Sequence, residues 1–227
     1  MRLVLVGPPG CGKGTQAERL EQRSGLRVIG TGNILRDAIK QQTDVGKIAQ
    51  PLLDQGRLVP DEVVNEVVRD LFRAERPERF VMDGYPRTYA QAISFDALLR
   101  QHYLNLHAVI NLTISDAEVE RRITSRRCCE NKACLTCFNL AFRPPKAAGV
   151  CDRCGSPLVQ RDDDKPDTIR RRLVEFHANT EGLLAHYRRA GLLCDVPATD
   201  DMETIYANIL AQLPAALLPD AVTPPSA

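Results

Sequence analysis

Residues 2–15 read RLVLVGPPGCGKGT, and this stretch decides the fold. RLVLV (2–6) is a short continuous apolar run, the pattern of a strand buried on both faces of a parallel sheet. GPPGCGKGT (7–15) fits G-x-x-x-x-G-K, with Gly7, Gly12 and Lys13 at the fixed places. Glycines let backbone N–H groups curl around phosphate oxygens, and the N-terminus of the helix that follows adds partial positive charge. Lys13 supplies a full charge toward the β- and γ-phosphates, so the stretch predicts a nucleotide-phosphate loop between a strand and a helix. The usual motif has Ser or Thr directly after the lysine to hold Mg²⁺, whereas here Gly14 stands there and Thr15 comes one place later. A metal is therefore expected to be held largely by water and by the phosphates, with Asp83, at the end of RFVMDG (79–84), as the nearby carboxylate.

Working outward, KGTQAERLEQRS reads as a helix ending at Gly25, LRVIG (26–30) as a strand, and GNILRDAIKQQ and VGKIAQPLLDQG as two short helices. PDEVVNEVVRDLF opens with Pro60 and Asp61, both helix-start signals. RFVMDG and LHAVINL (106–112) read as strands, with a helix, TYAQAISFDALLRQH, between them. Ser115 is an N-cap candidate with Glu118 at capping-box spacing. A long helix closing at Gly191, a strand LLCDV and a last helix follow. The alternation predicts a three-layer α/β/α fold with a central parallel sheet. Residues 214–227, PAALLPDAVTPPSA, read as a disordered tail.

The 227 residues, 44% apolar and 26% charged, suit one soluble globular unit with small insertions. The formal net charge of +1 advertises neither a nucleic-acid nor a membrane partner, and 5% aromatic residues offer few stacking platforms for bases. The N-terminal apolar run is too short for a secretory signal and no run reaches membrane-spanning length, so a cytoplasmic location is expected. Thiols there stay reduced, and clustered cysteines read as metal ligands before they read as disulfides.

Phosphoryl transfer needs charge around the migrating group, and arginine supplies it in a fork that never deprotonates at ordinary pH. Arg36 follows TGNIL, Arg87 follows DGYP, Arg126 and Arg127 end a helix, Arg161 precedes an acidic run, and Arg170, Arg171 and Arg172 stand together.

With these residues in view, the chain resembles the adenylate kinases from residue 1 to about 212. GPPGCGKGTQ resembles the nucleotide loop of that family, TGNILR (31–36) its AMP motif, GRLVPDEVV (56–64) the return from the AMP domain, DGYPRTYAQA (83–92) its signature, and RDDDKPDTIRRRL (161–173) the end of its lid. The resemblance implies a P-loop kinase with a CORE domain (1–29, 60–124 and 165–213), an AMP-binding insert (30–59) and a LID insert (125–164). It implies Mg·ATP + AMP ⇌ 2 ADP, with ATP, AMP and ADP as partners in a monomer of nucleotide biosynthesis. By position, Gly10, Cys11, Gly12, Lys13, Gly14 and Thr15 would hold ATP phosphates, with Arg122 and Phe138 further ATP-side residues. Thr31, Arg36, Arg57, Leu58 and Val59 would line the AMP site, with Gly84 and Arg87 at its phosphate, Gln91 at the adenine edge, and Tyr85 and Pro86 among the nucleotide-binding residues. Lys13, Arg87, Arg126, Arg161 and Arg172 would be catalytic, and Asp163 and Asp164 would form a lid-hinge acidic pair. Asn33 replaces the family's usual Asp, and Tyr85 its usual Phe.

CCENKACLTC (128–137) and CDRC (151–154) hold six of the eight cysteines. By spacing, CDRCG with Gly155 is a complete zinc knuckle, and two pairs compete to complete the site. Cys134 and Cys137 give C-x2-C, and Cys129 and Cys134 give C-x4-C. The resemblance to zinc-lid adenylate kinases favours Cys129, Cys134, Cys151 and Cys154, because sixteen residues then separate Cys134 from the third ligand and FNLAFRPP (138–145) aligns with the family's lid strand. Such a Zn²⁺ would be structural. Cys11 reads as a small loop residue and Cys194 as core.

Overall fold

The computed structural model describes residues 1–131, 133, 134, 136–199 and 201–217, with the backbone alone at 162 and 216. Strand β1 (Arg2–Val6) lies at the centre of a five-stranded sheet. The other strands are β2 (Arg27–Gly30), β3 (Phe80–Asp83), β4 (Ala108–Thr113) and β8 (Leu193–Pro197), in the order β2-β3-β1-β4-β8. All four pairings are parallel, as strand–helix alternation predicts.

The apolar run in β1 serves two cores at once. Leu3 and Leu5 face a cluster with Leu20, Ile205 and Ile209, while Val4 and Val6 face one with Phe72, Phe95 and Tyr187. Successive strand side chains point to opposite faces, so a strand covered on both sides must be apolar throughout. The first face carries α1 (Lys13–Ser24) and α8 (Met202–Ala211). The second carries α4 (Asp61–Glu75), α5 (Tyr89–Gln101) and α7 (Pro166–Arg189). Phe72, Phe80 and Phe95 meet edge to face there, with centroids 5.3–6.2 Å apart.

Two insertions leave this frame. Helices α2 (Thr31–Lys40) and α3 (Asp44–Asp54) form a pair between β2 and α4, with Thr43 capping α3 through Gly46 N–H. After α6 (Asp116–Thr124), a small antiparallel sheet is built from β5 (Arg126–Cys129), β6 (Cys137–Asn139) and β7 (Leu158–Val159), in the order β6-β5-β7. A 3-10 turn, Asp162–Asp164, joins it to α7. Its apolar centre is thin, with Phe138 and Leu158 beside three cysteines.

Ser115 caps α6 by accepting from Glu118 N–H at 3.4 Å. The Glu118 carboxylate turns instead to Arg121 and Arg122, so the expected reciprocal half of a capping box is replaced by ion pairs. The expected tail is corrected at its start: Ala215–Leu217 form a 3-10 turn and Leu217 packs against the core. Residues 218–227 of that tail lie outside the described residues. No helix among the described residues is long and apolar enough to cross a membrane.

Candidate active site

A cavity of about 710 Å³ opens at the carboxyl ends of β1 and β3. Ligand crevices of open α/β sheets lie at this edge. Its floor is the loop between β1 and α1. Gly10 and Gly12 have φ of 76° and 105°, in the left-handed region that glycine alone enters cheaply. A Cβ on Gly10 would also stand 2.4 Å from Ile123 of α6, so the loop has no room there for a side chain. No acidic residue stands in the first turn of α1, which leaves its N-terminal N–H groups to an anion. Lys13 Nζ donates to the Gly7 and Pro8 carbonyl oxygens at 2.7 and 2.8 Å and so lies folded over the loop.

Asp83 ends β3 opposite Leu5 of β1. Its Oδ2 lies 3.4 Å from where a Cβ on Gly14 would stand. The glycine that departs from the usual motif thus keeps the space beside this carboxylate open. That suits a hydrated cation, which needs room for its water.

One wall is lined by α2, the chain around 57–59, and the turn after β3, where the Tyr85–Pro86 peptide is cis. Thr31 Oγ1 donates to Gly84 O at 2.9 Å and Arg87 Nε to the same oxygen at 2.7 Å. Arg36 Nη2 donates to Asn33 Oδ1 at 2.8 Å, so the residue that departs from the family motif is a partner of Arg36. Burial pushes Arg36 below the usual guanidinium range. Arg36 and the more exposed Arg87 set two cations at one wall of the cavity, a site for an anion.

The third group stands between these ends. Arg126 forks onto the fully buried Asp164 at 2.8 and 2.5 Å, and Arg172 Nη1 reaches Asp163 Oδ2 at 2.9 Å. Burial, then the charges of Arg36 and Arg126, pushes Arg161 down to about 9. Burial pushes Arg172 to about 10, with Asp163 opposing and Arg126 adding to the effect. Burial would raise Asp163, but Arg172, Arg126, Arg36 and Arg161 hold it below the usual carboxylate range. At neutral pH all these arginines stay protonated, so the cavity holds crowded positive charge that an anionic ligand offsets.

Twenty of the nucleotide-site residues expected from the sequence line this cavity, from Gly10 and Lys13 through Arg36 and Asp83 to Arg161 and Arg172. Two, Tyr85 and Gln91, do not. Tyr85 is 1% exposed and packs edge to face on Phe95, its hydroxyl donating to Asn65 Oδ1 at 2.7 Å. Gln91 is 2% exposed; its Nε2 donates to Asp61 Oδ1 and its Oε1 accepts from Arg87 N–H, both at 2.7 Å. Both therefore stand behind the wall as supports of the Arg87 turn.

Phe142 joins the site although motif matching does not single it out. Phe138, the aromatic expected on the ATP side, is 4% exposed and packs in the cysteine lobe. Phe142 is 49% exposed at the cavity, with Arg121 and Arg122 guanidiniums 4.1 and 5.6 Å from its ring centre. Its sequence signal is its place as the second aromatic of FNLAFRPP.

Against this geometry, the family model for adenylate kinase matches residues 5–192. The chain belongs to the adenylate kinase family. It is 44% identical over 214 residues to an adenylate kinase of Archaeoglobus fulgidus, covering 94% of this chain and 98% of that protein. It is 44% identical over 208 residues to one of Streptomyces avermitilis, covering 90% and 93%. With one of Caldicellulosiruptor saccharolyticus it shares 41% over 214 residues, covering 94% and 99%.

The cysteines separate into two sets. The sulfurs of Cys129, Cys134, Cys151 and Cys154 all lie within 4.8 Å of one another. Tetrahedral zinc thiolates, with Zn–S of ~2.3 Å, stand about 3.8 Å apart, so the donor set fits that ion in type and spacing. Cys128 and Cys137 are joined to each other by a disulfide. The expectation that clustered thiols are ligands rather than disulfides is thus corrected for this pair. Cys11 is buried as expected, and Cys194 is half-buried at the core's edge.

Proposed function

We propose that the protein transfers the γ-phosphoryl group of Mg·ATP to AMP, giving two ADP. The observation that carries this is one cavity with a phosphate loop at one end, the Arg36–Arg87 pocket at the other and Arg126, Arg161 and Arg172 between them. The AMP phosphate is already an anion at neutral pH and needs no general base to attack in line. The obstacle is repulsion between two anions, and crowded arginines offset it. Lys13 moves from its own loop carbonyls to the phosphates, and Arg126 and Arg172 share their forks between the acidic turn and the migrating group. Mg²⁺, held by water near Asp83 and by the phosphates, would neutralise charge on the triphosphate. Arg121, Arg122 and the exposed face of Phe142 form a clamp suited to the ATP base.

In this reading the CORE spans 1–29, 60–124 and 165–213, the AMP insert 30–59 and the LID 125–164. Closure of the LID about the Asp163–Asp164 turn keeps water from accepting the phosphoryl group. Cys129, Cys134, Cys151 and Cys154 hold a structural Zn²⁺, with no open position and no part in the chemistry. The protein works as a cytoplasmic monomer.

The test is ADP formation from ATP and AMP, beside UMP, CMP and GMP, in wild type and Lys13→Ala. Activity with AMP above the others, lost in a folded Lys13→Ala protein, is expected. An unaffected variant would sink the mechanism, and equal turnover of several monophosphates would move the reading to a broader kinase.

A further inference from the structure

Six thiols in one small lobe are more than one tetrahedral ion can use, and the two left over are placed to do something else. Cys128 of β5 and Cys137 of β6 stand directly opposite each other, with Cα atoms 4.0 Å apart. Cys129 N–H donates to Thr136 O, which makes 128/137 a non-hydrogen-bonded cross-strand pair, the position where opposed side chains approach most closely. Neighbouring residues of a strand face opposite ways. Cys128 therefore turns to Cys137 while Cys129 turns to the four-thiol set. Cys137 also lines the nucleotide cavity, and Arg161 Nη2 lies 3.3 Å from its sulfur.

We infer that Cys128 and Cys137 form a reversible dithiol–disulfide site, separate from the four-thiol cluster, whose reduction sets a sulfur anion against Arg161 and weakens ATP binding. Oxidation is by exchange with a small-molecule disulfide, RSSR. The Cys137 thiolate attacks one sulfur and releases RS⁻. Cys128 then attacks Cys137 Sγ in the mixed disulfide and releases the second RS⁻. Two protons from the protein thiols leave on two RSH, and two electrons pass to the external disulfide. In the reverse direction, a guanidinium next to the reduced Cys137 favours its thiolate, and that thiolate competes with phosphate for Arg161. The disulfide is neutral and leaves Arg161 to the nucleotide. Bonding to Cys128 also withdraws Cys137 from competition for the metal, which leaves Cys129, Cys134, Cys151 and Cys154 as the set. The effect on ATP rests on the nucleotide reading of the cavity; the disulfide site does not.

The test equilibrates the zinc-loaded full chain in glutathione buffers of varied ratio, maps alkylated cysteines by mass spectrometry, and measures Kd for Mg·ATP without AMP. A 128–137 link that forms and breaks reversibly, with the other four cysteines unlinked, is expected. Reduction should raise Kd by about fivefold, the size of one weak charge-assisted contact. By reciprocity, saturating Mg·ATP should shift the dithiol–disulfide equilibrium about fivefold toward the disulfide. Cys128→Ser should bind ATP like reduced wild type in reducing buffer and hold Cys137 as an unresolved glutathione mixed disulfide in oxidising buffer, and Cys137→Ser should bind ATP like oxidised wild type in both. Absence of the link at every ratio, or links that draw in the four-thiol set, overturns the site. Equal Kd in both redox forms, with the link present, overturns the role of Arg161. Failure of both forms to bind ATP would instead fault the nucleotide reading, and the mapping would still judge the disulfide.

Discussion

The phosphate cradle and the cysteine lobe hold their shapes by opposite means. The cradle hangs from β1 and β3, whose apolar residues Leu3 to Val6 and Phe80 to Met82 are almost wholly buried. The lobe has strands of two to four residues and little carbon to bury beyond Phe138 and Leu158. Units with too small a core need staples, and this one has sulfur. A large core holds the cradle in place, and cross-links replace the core where it is absent.

Four substitutions would break or sharpen that contrast. Lys13→Ala, in the cradle, should lower the rate of ADP formation by about 10²–10³-fold, the scale for removing one electrostatic stabiliser. Its melting temperature should stay near that of wild type, since Lys13 bonds only to its own loop. A large fall in melting temperature would show that the cradle is stapled too. Cys151→Ser, in the lobe, should do the reverse. Bound zinc should be lost and the melting temperature should fall by about 5–10 °C, while kcat of the folded enzyme changes far less. A collapse of kcat at unchanged melting temperature would place the cluster in the chemistry.

Phe142→Ala tests the seam between the regions. Kd for ATP should rise about five- to tenfold through loss of stacking, with the KM for AMP unmoved. An equal loss on both substrates would show that Phe142 shapes the lobe rather than the base site. Tyr85→Phe should have the smallest effect. Loss of its hydrogen bond to Asn65 should cost about 1 kcal/mol by denaturant unfolding, with activity nearly unchanged. A marked rise in the KM for AMP would show that Tyr85 acts on that substrate directly.

Most of the cradle is legible in the amino-acid sequence. Gly10 and Gly12 line the cavity in the loop that the glycine spacing marks, and Arg126 and Arg172, placed by the family resemblance, line it too. Spacing misplaces the residues whose role depends on which way a side chain points. Gln91 lies within its helical motif, yet Asp61, thirty positions away, holds its amide behind the wall. Phe138 and Phe142 both line the cavity, but Phe138 of β6 is largely buried in the lobe while Phe142, beyond the strand, presents its ring beside Arg121.

The sequence by itself determined the sheet and the phosphate loop. Those rest on short-range rules: an apolar run between two covered faces and fixed glycine spacing. It could not say how six cysteines divide. Cys128 and Cys129 are identical neighbours, and only the pairing of β5 with β6 decides that one faces Cys137 and the other faces Cys134, Cys151 and Cys154. A strand alternates its sides, and which side meets which partner is a property of register, set by contacts far along the chain.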